Sequence, residues 1–369
     1  MTIEIFKSNL EQYLEELFNS KVRIEHLGTI SEDISDTDEE DIKEFHYGKS
    51  FLLKVKLAGE IREYILATMT KNKFGHQFFY DRAKELLMDY TCFNKLPNHV
   101  KAVDIGTYGI SNDFKSIGDV KEFFILREKV DGTEYIHDLE RIKRENFVKP
   151  LDYQRMEALV DYLVVIHQEK KEEPSLYERR IRELLGHGEC IMGLTDSYPK
   201  DANFTSQTEL KKIEKHCIDW RYKIKDHQSR LSQVHGDFHP WNILFREGVD
   251  FSVLDRSRGE WGEPADDITS ITINYLFLAL QEHGEVKGVF FELFKKFWKR
   301  YLDQTSDDEI LQLTAPFFAW RGLVIASPLW YPHIETKIRR KIFNFIHNIL
   351  KSEKLIIKNV PDMFEKVEK

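Results

Sequence analysis

The stretch HGDFHPWNILFREGVDFSVLD, residues 235–255, decides the fold of this chain. It carries three polar residues at fixed intervals, because Asn242 follows Asp237 by five positions and Asp255 lies thirteen positions further on. The apolar runs ILF and FSVL, on either side of a short polar turn, predict a β-hairpin. Since a hairpin returns the chain to the end where it began, we expect Asn242 and Asp255 to lie side by side at its open end.

Each of the three polar residues suits one task in the transfer of a phosphoryl group. In that reaction the protein mainly positions the reactants and neutralises charge around Mg²⁺ and the phosphate oxygens. Asp237 is the candidate that accepts or orients the proton of an attacking hydroxyl. The amide oxygen of Asn242 and the carboxylate of Asp255 are candidate ligands that would hold Mg²⁺ against the phosphates of ATP. The spacing H-x-D-x-x-x-x-N, followed by apolar residues and Asp, is typical of such sites.

Two other interpretations of this stretch compete with a phosphoryl-transfer site. An isolated His-Gly-Asp is usually a surface turn, although the added hairpin and terminal Asp255 make the whole pattern more specific. A zinc site is the other possibility, because His235, Asp237 and His239 alternate and would share one face of a strand. Pro240 disfavours a regular strand, and no further His or Cys pair lies nearby at ligand spacing. His235 is interpreted as a residue that holds the loop through side-chain hydrogen bonds.

This stretch and the segment after it resemble the aminoglycoside phosphotransferase and choline kinase family. Gly236 stands where protein kinases usually carry arginine, and residues 262–267 resemble the family's Gly-Asp-Pro-x-x-Asp-like segment, with Glu263 in place of the first Asp. The resemblance covers residues 235–268. It implies a protein-kinase-like fold and transfer of a phosphoryl group from ATP to a small molecule. Asp267 is predicted to cap the helix that follows.

A kinase-like N-terminal lobe normally supplies a strand lysine to the phosphates of ATP and a helix carboxylate that holds this lysine. The expected strand position has no lysine here, so Lys71 in the following loop is the predicted phosphate ligand, with Lys73 and Lys54 as alternatives. Asp81 or Glu85 is its predicted partner, since a four-residue step places both on a similar helix face. No G-x-G-x-x-G sequence occurs, and Gly48 in a short loop is the predicted point of close approach to a phosphate. The missing lysine keeps a second hypothesis open, a non-catalytic nucleotide-binding regulatory module on the same fold.

The pattern along the chain predicts an α+β fold class in two lobes, which agrees with the bilobal protein-kinase-like fold that the resemblance implies. Residues 1–128 are the predicted β-rich, nucleotide-binding lobe, and residues 129–369 are the larger, mostly helical lobe with the catalytic loop and the metal-binding Asp. In the first lobe, strands are predicted at 21–30, 50–56, 61–68, 100–105 and 122–126, and helices at 1–21 and 78–90. In the second lobe, helices are predicted at 156–167, 209–230, 266–282, 286–302, 308–326 and 335–350.

Composition limits the classes of partner. The chain has 369 residues and a net charge of -9, which argues against broad contact with nucleic acid or an anionic membrane. Its apolar runs are too short to span a bilayer. Three scattered cysteines provide neither a disulfide framework nor zinc spacing, and they predict a reducing cytoplasm. Residues 255–309 include twelve acidic and seven basic residues. This excess of negative charge favours a cationic substrate such as an amino sugar or amino alcohol, while a neutral sugar remains open.

Overall fold

Residues 7–29 and 48–365 are described by the computed structural model of this protein. The chain divides into two units, Met1–Arg127 and Glu128–Lys369. A three-stranded sheet dominates the first unit and helices dominate the second, so the predicted α+β fold class is confirmed. Residues 1–6 of the predicted first helix lie outside the described part of the chain. No helix within that part combines the length and apolar character required to cross a membrane.

The N-terminal unit is built on an antiparallel sheet of three strands, in which β2 lies between β1 and β3. The tight turn at residues 58–59 joins β2 to β3, between the strands predicted at 50–56 and 61–68. Leu10 and Leu14 of the first helix pack with Ile24 and Val55 of the sheet to form its core. The elements are α1 (Lys7–Phe18), β1 (Val22–Thr29), β2 (Gly48–Leu57), β3 (Glu60–Met69), α2 (Phe79–Phe93), β4 (Gly106–Tyr108) and β5 (Phe114–Ser116).

Two of the strand predictions for this unit are wrong. Residues 100–105 form no strand, and the short hairpin of β4 and β5 follows them instead. Residues 122–126 form no strand either, and they leave Phe124 and Leu126 at 93% and 92% exposure. Aromatic and β-branched residues favour a strand, but a strand also needs a neighbour that pairs its backbone N–H and C=O groups. No described segment pairs with residues 122–126.

The C-terminal unit surrounds one buried helix, α8. Every residue from Ala265 to Leu280 is buried except Asp266, which is partly buried. Polar residues in the first half of this helix, such as Thr269 and Asn274, donate to backbone carbonyls of the helix itself. Helices α9 and α10 both pack against it. The elements are β6 (Thr133–Glu134), α3 (Tyr135–Glu145), α4 (Pro150–Gln168), α5 (Pro174–Gly186), α6 (Ile191–Ser197), α7 (Gln207–Ile224), β7 (Ser232–Gln233), β8 (Ile243–Phe245), β9 (Phe251–Val253), β10 (Trp261–Gly262), α8 (Ala265–His283), α9 (Gly288–Thr305), α10 (Ala315–Ala326) and α11 (Thr336–Lys351).

The helix predicted over residues 308–326 is in fact two elements. A 3₁₀ segment covers Asp308–Gln312, and α10 begins at Ala315. Pro316 lies in the first turn of α10, where its missing N–H removes no helical hydrogen bond. Helices α3, α5 and α6 were not predicted from the sequence. Helix α6 has seven residues, too few for an apolar period to be visible in a window of about 11–18 residues.

Candidate active site

The hairpin predicted after Asn242 is confirmed, and it brings the two candidate metal ligands to the same end. Ile243 pairs with Val253 in the antiparallel ladder of β8 and β9. The N–H of Leu254 then donates to the carbonyl oxygen of Asn242 at 2.8 Å. Asp255 is the next residue, so it follows directly on the backbone pairing that includes Asn242.

The side chains of Asn242 and Asp255 present oxygen atoms, the donors that Mg²⁺ prefers. The NH₂ group of Asn242 donates to the carbonyl oxygen of Asp237 at 3.1 Å, which leaves the amide oxygen of Asn242 available. Asp255 is exposed beside a cleft of about 280 Å³. Its φ of 57° is in the left-handed region, an uncommon conformation for a non-glycine residue that clusters at functional sites. The donor set therefore fits a hard, oxygen-binding cation.

A zinc cluster at His235, Asp237 and His239 is not supported. Within residues 7–29 and 48–365, no three His, Cys, Asp or Glu side chains lie close enough together to hold a metal ion. His239 approaches Asp237 at 3.6 Å from Nε2 to Oδ2. The ring of His235 is buried, and its Nδ1 accepts the backbone N–H of Asp237 at 3.3 Å. Burial lowers the pKa of His235, which favours the neutral ring needed for that acceptor role.

The carboxylate of Asp237 lies among cationic groups. Its Oδ1 is 2.7 Å from Nη1 of Arg321 and 3.8 Å from Nε of Arg258. Burial raises the pKa of Asp237, but His239, Arg321 and Arg258 together outweigh burial and hold this pKa well below its usual range. Asp237 is therefore ionised at neutral pH and available as a hydrogen-bond acceptor.

Asp267 holds the backbone at the start of the 235–242 loop. Its carboxylate is fully buried and accepts the N–H groups of His235 at 2.8 Å and Gly236 at 2.7 Å. His167 from α4 contacts the same carboxylate at 3.1 Å. The predicted role of Asp267 as a helix cap is wrong, because it is the third residue of α8 and Pro264 occupies the cap position. The carboxylate faces the loop because the loop supplies two backbone donors that have no strand partner.

Two features of the structure require glycine at position 236. Its φ is 85°, a left-handed conformation that side chains disfavour, and an added Cβ would lie 3.1 Å from Cβ of Arg258.

We expect Gly236→Ala to lower the free energy of unfolding by about 2 kcal/mol, measured by urea denaturation. The matched control is Gly248→Ala, where φ is 66° but no atom lies within 4 Å of an added Cβ. That variant should cost about 1 kcal/mol. Equal losses of unfolding free energy in the two variants would show that the contact between the added Cβ and Arg258 is unimportant.

The four residues predicted to serve the nucleotide all lie in the N-terminal unit. Gly48 is the first residue of β2 and not part of a loop, and it pairs with Met69. An added Cβ there would overlap the carbonyl oxygen of the neighbouring strand, so strand pairing alone explains this glycine. Asp81 accepts the N–H of the residue before α2 at 2.9 Å and so caps that helix. Lys71 follows β3 and Glu85 lies on α2, and their roles toward a nucleotide stay predictions.

Arg321 is the residue of this site that the sequence analysis missed. It lies in α10, 84 positions after Asp237, and its side chain is only 7% exposed. The signal was present in the sequence APFFAWRGLVIA, where one arginine interrupts an apolar helix. Such a charge is rarely buried without a partner. The sequence alone did not identify that partner.

Residues 108–285 match the phosphotransferase enzyme family, so the resemblance is confirmed over this stretch. No curated protein matches the sequence. Among solved structures, an ethanolamine kinase of Plasmodium vivax is 16% identical, with 90% of this chain and 83% of that chain covered and a TM-score of 0.33. A choline kinase from Cryptosporidium parvum is 14% identical, with coverages of 90% and 89% and a TM-score of 0.32. A spectinomycin phosphotransferase solved with ADP and spectinomycin is 13% identical, with 98% of each chain covered and a TM-score of 0.33. Similarities this weak carry no conclusion about reaction or substrate.

Proposed function

We propose that this chain, whose residues 108–285 match the phosphotransferase enzyme family, is a small-molecule kinase that uses ATP and Mg²⁺ to phosphorylate a hydroxyl group. One observation carries the proposal. The side chain of Asn242 bonds to the backbone of Asp237, and the backbone of Asn242 bonds to the residue before Asp255. Asp237 and Asn242 are therefore joined by a hydrogen bond, and Asp255 follows directly on the backbone hydrogen bond between Leu254 and Asn242.

Asp237 is proposed as the base. An ionised carboxylate can accept a hydrogen bond from an acceptor hydroxyl and orient its oxygen toward the phosphorus atom. A low pKa suits this role, because the transition state of phosphoryl transfer is loose and positioning contributes more than early removal of the proton. The proton then passes to Asp237 as the bond between the acceptor oxygen and the γ-phosphorus forms and the bond from that phosphorus to ADP breaks.

Asn242 and Asp255 are proposed as the ligands of Mg²⁺. When bound, Mg²⁺ neutralises charge on the phosphate oxygens and fixes their geometry. Sites for Mg²⁺ usually include one or two protein carboxylates, and Asp255 would be the carboxylate here. An amide and one carboxylate from the protein would therefore suffice for this ion.

The N-terminal residues are proposed to bind the nucleotide, with Lys71 toward the phosphates and Gly48 beside them. Because the Asp81 carboxylate already caps α2, Glu85 is the better candidate to hold Lys71. The proposed substrates are an amino alcohol, an amino sugar or a neutral sugar, and the proposed location is the cytoplasm.

The test is ADP release from Mg-ATP in the presence of ethanolamine, choline, glucosamine or glucose. We expect one class of acceptor to raise ADP release at least about tenfold above the acceptor-free rate. Asp255→Asn should raise the Mg²⁺ concentration for half-maximal rate at least about tenfold, because it removes the charged ligand. The control is Asp250→Asn in the turn of the same hairpin, where the carboxylate is exposed and pairs with Arg246.

Two results would count against this proposal. An unchanged Mg²⁺ requirement in Asp255→Asn would reject Asp255 as a ligand. Thermal stabilisation by Mg-ATP, without turnover of any acceptor, would favour the non-catalytic nucleotide-binding module instead.

A further inference from the structure

One buried guanidinium joins three separate parts of the C-terminal unit beside Asp237. Nη1 of Arg321 donates to Oδ1 of Asp237 at 2.7 Å, and Nη2 donates to the carbonyl oxygen of Gly236 at 3.0 Å. The same Nη2 also donates to Oδ1 of Asp266 at 2.7 Å. The contacts therefore link α10 to the 235–242 loop and to the first turn of α8.

The position of this guanidinium is itself fixed by packing. The ring of Trp320 lies against it, with 3.8 Å from the guanidinium carbon to the ring centroid. The next residue, Gly322, has no room for a side chain, because an added Cβ would be 2.9 Å from Cγ1 of Ile346. Helix α10 is thus held closely against α11. A planar guanidinium with two parallel donors then fixes both the Asp237 carboxylate and the peptide before it.

We infer that Arg321 is a positioning residue for phosphoryl transfer, which turns Asp237 so that its Oδ2 receives the acceptor hydroxyl. The inference rests on the proposed function, because it assigns the orientation of the proposed base. Oδ1 accepts a hydrogen bond from Nη1 of Arg321, whereas the contact given for Oδ2 among the described residues is with Nε2 of His239 at 3.6 Å. That separation is too long for a hydrogen bond. Oδ2 is therefore the oxygen that remains for a substrate.

The charged and titratable groups around Asp237 come from four parts of the chain. Arg321 and His239 face it directly, and Nε of Arg258 lies 3.8 Å from Oδ1. Asp266 shares Arg321 with it. Arg258 is also paired, with Glu189 at 3.1 Å, so Arg321 is the cation that makes the shortest contact with the carboxylate.

The first experiment compares Arg321→Gln with Arg321→Lys in the full chain, with Mg-ATP and the best acceptor of the panel above. We expect Arg321→Gln to lower kcat about 10²-fold, because misplacement of a reacting group by about 1 Å has that effect. KM for ATP should stay within about threefold of wild type, since the change acts on the base and not on nucleotide binding. Arg321→Lys should recover part of kcat, because it restores the charge without the second parallel donor.

The matched control is Arg339→Gln, which also removes a buried arginine. Arg339 lies on α11 and donates only to backbone carbonyls, including those of Ala326 and Ile334. We expect this variant to lower Tm and to leave kcat and KM near wild type. A purely structural Arg321 would behave like Arg339, with lost stability and retained kcat, and that result would overturn the inference.

The second experiment needs no turnover. The pKa of Asp237 is followed by carboxyl ¹³C NMR in protein labelled at aspartate, with the resonance assigned by its loss in Asp237→Asn. Arg321→Gln should raise this pKa by at least about one unit, because a nearby positive charge is removed from a buried carboxylate. Arg339→Gln should leave it unchanged. An unchanged titration in Arg321→Gln overturns the inference whatever the activity, whereas a wild type that phosphorylates no acceptor refutes the proposed function separately.

Discussion

Replacement of Asp237 by asparagine is expected to lower kcat about 10²- to 10⁴-fold, the range that general acid–base groups contribute. Asparagine preserves the shape of the side chain, but an amide is not basic and presents only one oxygen as an acceptor. The affinity for Mg-ATP should change little, because the proposed metal and nucleotide ligands lie elsewhere. Turnover is measured by ADP release with acceptor, and nucleotide affinity by thermal shift with Mg-ATP.

The control for Asp237→Asn is Asp303→Asn, on the exposed surface of α9. Asp303 pairs with Lys299 and its side chain is 59% exposed, so the same chemical change there should leave kcat near wild type. Undiminished turnover in Asp237→Asn would remove the base from the proposed mechanism. A loss of kcat together with loss of Mg-ATP binding would show damage to the fold and not to the chemical step.

Replacement of Asp267 by asparagine is expected to lower the free energy of unfolding by about 3–5 kcal/mol, the usual result when one partner of a buried charged network is removed. One oxygen of Asp267 accepts the N–H of Gly236, and the other accepts the N–H of His235 and contacts His167. Asparagine offers one oxygen and one NH₂ group, so at least one buried N–H would face another donor. Turnover should also fall, because these bonds hold the peptides that precede Asp237.

Stability of Asp267→Asn is measured by urea denaturation against Asp161→Asn. Asp161 makes a half-exposed pair with Arg300 on the surface of α4, and its replacement should cost no more than about 1 kcal/mol. Equal losses in the two variants would contradict the importance that we assign to the buried contacts of Asp267.

Asp266 and Asp267 are neighbours in sequence, yet they hold the 235–242 loop in different ways. Successive residues on a helix point about 100° apart, so Asp267 faces the loop backbone while Asp266 faces Arg321. Burial raises the pKa of Asp266 to about 6 despite the nearby charge of Arg321. The pKa of Asp267 is lowered, because His167 and the loop donors outweigh its burial. The first turn of α8 therefore supports the proposed base both through the backbone and through its carboxylate.

The hairpin that brings Asn242 near Asp255 was predictable, because its residues are close together in the sequence. A hairpin of about ten residues forms from its own apolar pattern and turn, so the approach of Asn242 to the residue before Asp255 followed from residues 235–255 alone. The sequence likewise identified α8, α9 and α11, because each has at least 16 residues; α9 and α11 also carry a clear apolar face. The α+β class follows from the order of these local patterns.

The contacts that orient Asp237 were not predictable, because they join residues that are far apart in the chain. Arg321 lies 55 positions from Asp266 and 84 from Asp237, and His167 lies 100 from Asp267. An arginine in an apolar helix indicates a buried charge, but only the packing of α10 against α8 and α11 selects the carboxylates that it meets. Residues 122–126 illustrate the same limit for a strand. Their strand propensity is a local property of the sequence, whereas a strand also needs a pairing partner from another part of the chain. Short-range sequence patterns therefore identify secondary-structure elements and candidate residues. The contacts between those residues are determined by long-range packing, because the partners of a side chain depend on the final positions of whole helices.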